Sequence, residues 1–114
     1  MHELSIALAV VDAAAEEAAR HGGRVVAVRL RVGPLSGVVP AALRSAYELA
    51  REGSAVAGSD LVVEEVPVVV YCEACAAERP AASWPRLACG DCGAPAPRVV
   101  RGRELEVVAL EIEP

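Results

Sequence analysis

The stretch RVVAVRLRV, residues Arg24–Val32, decides much of the fold of this 114-residue chain. Apolar residues occupy its alternate positions, and arginines stand between them in the second half. The apolar positions are Val26, Val28, Leu30 and Val32, and the charged positions are Arg29 and Arg31. A period of two residues is typical of a strand with one face on a core and the other in water. The pattern therefore predicts a half-buried β-strand.

A helix is predicted on each side of this strand. The apolar stripe of the first helix consists of Leu4, Leu8, Val11, Ala15 and Ala18. Such spacing is helical, and we expect Gly22-Gly23 to end the helix because glycine adopts the left-handed cap conformation. The second helix starts at Pro40, where a missing N–H costs nothing, and stops at Gly53. Its stripe consists of Leu43, Ala46, Tyr47 and Ala50.

Two further strands complete the predicted sheet. The segment Leu61–Val70 contains Pro67, which places the strand at a sheet edge or ends it in a bulge. The last strand is Glu104–Ile112. The predicted fold class is α+β, a small β-sheet with two helices on one face, plus an inserted zinc-ribbon-like module that holds all four cysteines. We expect residues 1–70 and 103–114 to form one domain and residues 71–102 to form the insert.

Composition excludes several classes of protein. Hydrophobic residues make up 54% of the chain, so a packed core is expected. The formal charge is −5, with arginine as the only strongly basic residue, which disfavours sequence-independent binding to phosphates. No apolar run approaches the roughly 18 residues of a membrane span. The first residues do not resemble a signal peptide, so a cytoplasmic protein is expected. Cysteines in that reducing compartment are more often metal ligands than disulfides.

The cysteines form two C-x2-C knuckles, Cys72-Glu73-Ala74-Cys75 and Cys89-Gly90-Asp91-Cys92, separated by residues 76–88. Two such turns can place four thiolates around one ion, and Zn(II) takes four thiolates readily. The alternatives are disulfides or unpaired thiols, a redox pair, and an iron–sulfur cluster. Structural Zn(II) is the preferred interpretation, and four closed ligands leave no position for a catalytic water. Tyr71 and Trp84 are expected to pack over this site.

The N-terminus, Met1-His2-Glu3, carries a second candidate site. The imidazole of His2 adjoins the terminal amine and the first backbone amides, and together these nitrogens can surround an ion in a nearly planar array. Planar nitrogen coordination favours Ni(II) or Cu(II) over Zn(II). The alternative is an ordinary solvated histidine. His21, in the last turn of the first helix, is interpreted as a partner of the helix dipole.

Several motifs together resemble the nickel metallochaperones of hydrogenase maturation, the HypA/HybF family. The resemblance covers essentially the whole chain, and its motifs run from Met1 to the second knuckle. They are the Met1-His2-Glu3-Leu4-Ser5 start, the turn in Arg31–Val38, Ala42-Leu43 through Tyr47-Glu48, Gly53, Gly58, Leu61–Pro67 and the paired knuckles. The combination of this start, a V-G-x-L-S-G turn and a four-cysteine insert is highly specific.

The resemblance implies a protein with two metal sites. Ni(II) would be bound by the amine of Met1, the imidazole of His2 and backbone amides that include Glu3. The four cysteines would hold structural Zn(II). Members of the family deliver nickel to the large subunit of [NiFe]-hydrogenase with a partner GTPase, and some serve urease. The family often has an acid after the turn, where this chain has Val38-Val39-Pro40, so an additional carboxylate ligand is in doubt.

Three classes of function are alternatives for this sequence. The first is a nickel carrier without catalysis, as a monomer or weak homodimer that associates through an open sheet edge. The second is a zinc-ribbon nucleic-acid-binding or adaptor module, for which arginines make the cysteine region locally basic. These are Arg79, Arg86, Arg98, Arg101 and Arg103. The third, an enzyme, has no nucleophile–base pair, phosphate loop or open metal site to support it. The nickel carrier is the preferred prediction.

Overall fold

The computed structural model describes residues 2–82 and 86–114. Within those ranges the chain forms two α-helices, one short 3-10 turn at Pro34–Ser36 and six strands. The helices are α1, His2–His21, and α2, Pro40–Ala50; the strands are β1, Arg24–Val32, β2, Asp60–Glu65, β3, Val69–Cys72, β4, Ala77–Pro80, β5, Val99–Arg101, and β6, Leu105–Glu113. Neither described helix is long and apolar enough to span a bilayer.

The first three-stranded sheet has the order β2-β1-β6. β1 runs parallel to β2 and antiparallel to β6, and α2 connects the two parallel strands. α1 packs on β1 and β6, and α2 packs on α1 and β2. Within the described residues, the shared core contains thirteen buried residues, among them Val28, Leu43 and Tyr47. The predicted α+β arrangement, with two helices on a small sheet, is therefore confirmed.

The interior face of β1 differs from the prediction at one end. Val28, Leu30 and Val32 are buried as expected, but Val25 is buried to 2% exposure whereas Val26 is only half-buried. The pairing with β6 shifts register between Val25 and Ala27. A bulge inserts one residue and reverses the alternation beyond it, so the expectation that Val26 faces the core is wrong.

The buried face of α1 is also rotated from the predicted stripe. Leu4 and Leu8 are 43% and 48% exposed, while the buried positions are mostly small. These positions are Ala7, Val10, Val11, Ala14 and Ala18. Small side chains allow α1 to lie close to α2 and to β1, which leaves the two leucines beyond the edge of the contact. The placement of Leu4 and Leu8 in the core is therefore wrong, whereas the predicted end of the helix at Gly22-Gly23 is correct.

The predicted strand Leu61–Val70 is two strands that belong to different sheets. β2 ends at Glu65 as an edge of the first sheet, and β3 begins at Val69 as the centre of a second sheet with the order β4-β3-β5. Pro67 lies between them, at the point where the chain leaves one sheet for the other. Because proline lacks a ladder N–H, this is where a continuous strand is least stable, and the single-strand prediction is corrected accordingly.

The two sheets meet at the turn that follows β1. Leu35, in this turn, packs against the small apolar cluster of the second sheet, which contains Val68, Val70 and Ala96. Two backbone hydrogen bonds hold the turn against the chain between β5 and β6: Leu35 N–H donates to the carbonyl of Gly102 at 2.8 Å, and Gly33 N–H donates to the carbonyl of Glu104 at 2.8 Å. The turn therefore links the helix-bearing sheet to the sheet that carries the cysteines.

Candidate metal centre

The four cysteines form one cluster, as the paired knuckles predict. Their sulfurs all lie within 4.8 Å of one another, and no other group of three or more His, Cys, Asp or Glu in the described residues is so arranged. The Sγ atoms of Cys72 and Cys92 are 3.6 Å apart, and those of Cys75 and Cys89 are 4.0 Å apart. A tetrahedral ion with sulfur ligands at about 2.3 Å requires sulfurs roughly 3.8 Å apart. All four cysteines are free thiols, so the disulfide alternative does not hold.

Each knuckle is held by a tight backbone turn. Cys72 ends β3, and Ala76, just after Cys75, adopts a left-handed φ of 55°, which turns the chain back into β4. In the second knuckle, Gly90 N–H donates to the carbonyl of Pro80 at 2.8 Å, and a side chain at Gly90 would collide with that oxygen. The second knuckle is thereby docked on the end of β4, which places both cysteine pairs around one point.

Backbone N–H groups point at the sulfurs. Cys75 N–H donates to Cys72 Sγ, and the N–H groups of Asp91 and Cys92 donate to Cys89 Sγ, all at 3.4 Å. The N–H groups of Cys92 and Asp91 lower the pKa of the Cys89 thiol to about 7. Hydrogen bonds with the sulfurs of Cys92 and Cys72 raise the pKa of Cys75 to about 12. Four thiolates so close together repel one another, and a divalent cation between them removes that penalty.

This donor set suits a resident metal ion. Four sulfur ligands in a closed, tetrahedral cluster are typical of structural Zn(II) and also of iron–sulfur centres.

Two aromatic residues, Tyr71 and Trp84, were expected to pack over the site. Tyr71 lies on the face of β3 opposite Cys72, because side chains alternate between the two faces of a strand. Its ring instead stacks with Arg98, whose guanidinium carbon is 4.5 Å from the ring centre. Trp84 lies outside the described residues.

His2 and Glu3 form the first turn of α1, and Met1, whose amine is the other predicted ligand, lies outside the described residues. The imidazole of His2 is exposed. The first N–H groups of a helix have no partner within the helix, so the amides of His2 and Glu3 can be given up to a metal without breaking α1. The exposed first turn of α1 is thus compatible with the predicted nitrogen ligands.

The carboxylate of Glu3 is a feature that sequence reasoning missed. It accepts a hydrogen bond from the backbone N–H of Val39 at 3.5 Å, across 36 residues of sequence. Hydrogen bonds from its own backbone N–H and from that of Val39 lower the pKa of Glu3. The stretch Val38-Val39-Pro40 lacks an acid of its own, and Glu3 brings one to it from α1. No local pattern signals this contact, because it depends on how α1 and the turn pack.

The two candidate sites remain separate in the fold. The cysteines belong to the second sheet and its loops, and His2 belongs to α1 on the first sheet.

Some of the basic charge predicted for the cysteine region is neutralised. Arg101 contacts Glu78 at 2.7 Å, and Arg79 contacts Asp91 at 3.1 Å. These ion pairs weaken the case for a phosphate-binding surface.

Comparison with known proteins identifies the family. A family model described as hydrogenase/urease nickel incorporation, metallochaperone, hypA matches residues 1–112. A hydrogenase maturation factor HypA from Chloroflexus aurantiacus is 51% identical over 112 residues, which cover 97% of this chain and 98% of that protein. Its counterpart from Streptomyces avermitilis is 47% identical over 116 residues, with 99% and 88% covered.

The fold agrees with a solved relative. The solution structure of the Ni metallochaperone HypA from Helicobacter pylori superposes with a TM-score of 0.65, at 21% identity over 96% of each chain. At that identity the likeness concerns the fold. The family model and the close relatives confirm the resemblance drawn from the sequence: this chain belongs to the HypA family of hydrogenase/urease nickel-incorporation metallochaperones.

Proposed function

We propose that this protein binds Ni(II) at the start of α1 and delivers it to a [NiFe]-hydrogenase large subunit, while Cys72, Cys75, Cys89 and Cys92 hold a structural Zn(II). The observation that carries the nickel part is the placement of His2 in the exposed first turn of α1. Membership of a nickel-incorporation family supports the choice of metal. The ligands would be the Met1 amine, the His2 imidazole and backbone amides that include Glu3.

The chemistry of the start of α1 supports a cation that is held and then released. Amine, amide and imidazole nitrogens must lose protons to bind, so nickel affinity falls as the pH decreases. The Glu3 carboxylate beside the first turn adds negative charge close to the cation. The site is at the surface, which suits cargo that must leave again.

The zinc part is a structural role. In the part of this module that the structure describes, the cluster around β3 contains three buried apolar residues, Val68, Val70 and Ala96, which is a small core for independent stability. Zinc binding to such modules contributes on the order of 10–16 kcal/mol to folding. A Zn(II) ion bound by both cysteine pairs would hold the two knuckles together. We propose on this basis that residues 71–102 act as the zinc module, and residues 1–70 with 103–114 act as the nickel domain.

Membership of the family supports a wider role. The relatives are hydrogenase maturation factors, and we propose that this chain acts with a maturation GTPase in the cytoplasm, as a carrier without catalysis. The alternative of a nucleic-acid-binding or adaptor module is less favoured, because the chain is acidic overall and Arg79 and Arg101 are paired with acids.

The test of the nickel site is a pair of histidine variants. Ni(II) titration by calorimetry should show one site in the wild type, loss of that site in His2→Ala, and an unchanged site in His21→Ala. His21 is the matched control because it lies on the same helix, with its ring nitrogen 3.0 Å from Glu17. Zinc content, measured by atomic emission, should stay at one per chain in all three. Unchanged nickel affinity in His2→Ala would contradict the proposal.

The role of the terminal amine has its own test. A short peptide fused before Met1 moves the amine away from His2 and replaces it with an amide, so nickel affinity should fall strongly. The same peptide fused after Pro114 should leave nickel affinity unchanged. Equal affinity in the two fusion proteins would show that the amine is not a ligand.

A further inference from the structure

The last strand of the first sheet has a free edge. β6 pairs with β1 on one side, and in the order β2-β1-β6 no described strand pairs with its other side. Proteins commonly protect such an edge with a proline, a bulge or a covering element. β6 contains no proline, and its register with β1 shows one bulge, at Val108. The bulge leaves Ala109–Glu113 as a regular edge of five residues.

One face of this edge is apolar and borders a groove. Leu110 and Ile112 pair with the buried Val28 and Val25 of β1, so their side chains point to the helix side of the sheet. α1 leaves part of that face uncovered, because a groove of about 980 Å³ lies between β6 and the second half of α1, where Ala13 is part of its wall. A strand added to the edge would place alternate side chains over this groove.

The other face of the edge is acidic. Glu111 and Glu113 alternate with the apolar residues and lie 3.4 Å from Arg29 and 3.2 Å from Arg24 of β1. Their side chains are 48% and 62% exposed, so each carboxylate is accessible to a second cation on the side away from β1. The row of charges is basic on β1 and acidic on β6, and opposite charges on neighbouring strands stabilise a sheet. A basic strand would therefore continue the alternation.

A second copy of β6 does not fit this edge. An antiparallel pairing that overlaps the whole of Ala109–Glu113 places Glu111 directly opposite its own counterpart, and like charges in that position are destabilising. The net charge of −5 adds repulsion between two copies of the chain. The bulge at Val108 increases the local twist, which works against a long, flat pairing. An edge of five residues suits a short segment of a different chain.

We propose that Ala109–Glu113 is a docking edge for an extended segment of a partner protein in which apolar residues alternate with arginine or lysine. The segment would join the sheet as a fourth strand through backbone hydrogen bonds. Its apolar side chains would enter the groove beside Ala13, and its basic side chains would contact Glu111 and Glu113. The groove follows the second half of α1, whereas His2 is at the start of that helix. The inference therefore depends on neither metal site.

β1 itself supplies the probe for this edge. Its sequence, RVVAVRLRV, alternates arginine with apolar residues in its second half, as the proposal requires of a partner. A synthetic peptide of this sequence is titrated into isotope-labelled full-length protein, and the amide signals are followed by NMR. Shifts should be concentrated in Ala109–Glu113 and near Ala13, and absent from β2. A peptide with glutamate in place of each arginine is the matched control and should not bind.

Two double variants test the contribution of charge. Glu111→Gln combined with Glu113→Gln should weaken binding of the basic peptide about 4- to 25-fold, since each cross-strand charge pair contributes roughly two- to fivefold. Asp60→Asn combined with Glu64→Gln removes the same number of charges from β2, the other edge strand of the sheet. This control should bind the peptide within about twofold of wild type.

The groove has its own pair of variants. Ala13→Trp fills part of the groove and should weaken peptide binding by at least about fivefold, which is the lower end of the cost of overpacking. Ala19→Trp is the matched control, because Ala19 is an exposed residue of the same helix outside the groove wall. Peptide binding to the Ala19 variant should be unchanged.

Each outcome decides the inference. Binding of the basic peptide at Ala109–Glu113, with the losses expected in the variants, supports the docking edge. Absence of binding, equal binding of both peptides, or shifts confined to β2 would overturn it. A dimer formed through β6 by the protein alone, detected by sedimentation and by changes in the same amide signals, would also overturn it. Nickel and zinc binding should be unchanged in Glu111→Gln with Glu113→Gln, so the metal sites are tested separately.

Discussion

At the scale of single residues, Tyr47 and Ser59 form a buried polar contact. Their exposures are 1% and 0%, and the two hydroxyl oxygens are 2.6 Å apart. Ser59 donates its one hydroxyl proton to the carbonyl of Val56 at 2.5 Å. Tyr47 must therefore be the donor to Ser59. The pair fastens the loop after α2 beneath the helix, just before β2 begins.

The first prediction concerns the asymmetry of this pair. Ser59→Ala leaves the Tyr47 hydroxyl buried without a partner and should cost about 1–3 kcal/mol of unfolding free energy. Tyr47→Phe leaves Ser59 bonded to Val56 and should cost about 0.5–1.5 kcal/mol. Urea unfolding monitored by circular dichroism measures both losses of unfolding free energy. The variant that carries both substitutions completes a double-mutant cycle. Equal costs for the two single variants would contradict the assigned direction of the hydrogen bond.

The second prediction concerns alkaline pH. Burial raises the pKa of Tyr47 above its ordinary value of 10.0. The protonated phenol is therefore favoured in the folded state, so its contribution to stability is present below pH 10 and is lost as the pH rises through the folded pKa. The chain has no lysine to titrate in this range. The unfolding free energy of the wild type should decline above pH 10, and Tyr47→Phe should reduce that decline. An identical decline in both would contradict the prediction.

At the scale of elements, the turn between β1 and α2 depends on an unusually close backbone contact. A side-chain carbon added to Gly33 would lie 2.1 Å from the carbonyl oxygen of Gly102. The φ of Gly33 is −99°, a conformation that any residue adopts, so the requirement for glycine here is steric. Gly37, four residues later, has a φ of 80° and open space around it. Glycine is therefore required at position 37 because of its left-handed backbone conformation.

The third prediction uses these two glycines as a matched pair. Gly37→Ala should cost about 1–2 kcal/mol, the strain of a left-handed alanine. Gly33→Ala must push the turn away from Gly102, which breaks the Leu35 hydrogen bond and the contact of Leu35 with the second sheet, so its cost should be larger. Thermal unfolding of the zinc-loaded protein gives the comparison. A smaller cost at Gly33 would mean that the two sheets are not held together by this turn.

At the scale of the whole molecule, the two sheets have very different cores. In the parts of the chain that the structure describes, the core of the first sheet and its helices contains thirteen buried residues, while the cluster of the second sheet contains three, against which Leu35, Ala81 and Leu87 pack. Among the described residues, hydrophobic burial is extensive in the first sheet and small in the second. We therefore expect the stability of the second sheet to depend on a metal ion bound by the four cysteines.

The fourth prediction follows for metal removal. A strong chelator should abolish protection from hydrogen exchange in β3, β4 and β5, while β1, β2 and α2 keep theirs, because the described residues of the second sheet bury far fewer apolar side chains than those of the first. Resupplied Zn(II) should restore protection. Simultaneous loss of protection in both sheets would show that they form one cooperative unit, and retention in both would show that the metal is not structural.

Local patterns in the sequence determined several features of this protein. The stripe of α2, with Leu43 and Tyr47 buried, follows from a spacing within eleven residues. The end of α1 follows from two glycines, and the cysteine cluster follows from two C-x2-C turns whose geometry is local. Each of these features depends on residues that are close together in the chain, so each can be predicted from the sequence.

Only the tertiary structure decided the remaining features. The burial of Val25 in place of Val26 arises from the register with β6, about eighty residues away, and the exposure of Leu4 and Leu8 arises from where the helix packing ends. The division of the chain near Pro67 between two sheets, the contact of Glu3 with Val39, and the ion pair of Arg79 with Asp91 all depend on contacts between separate segments of the chain. The physical reason is the same in each case: these contacts are set by packing between elements. The spacing of residues within one element does not indicate which other element packs against it.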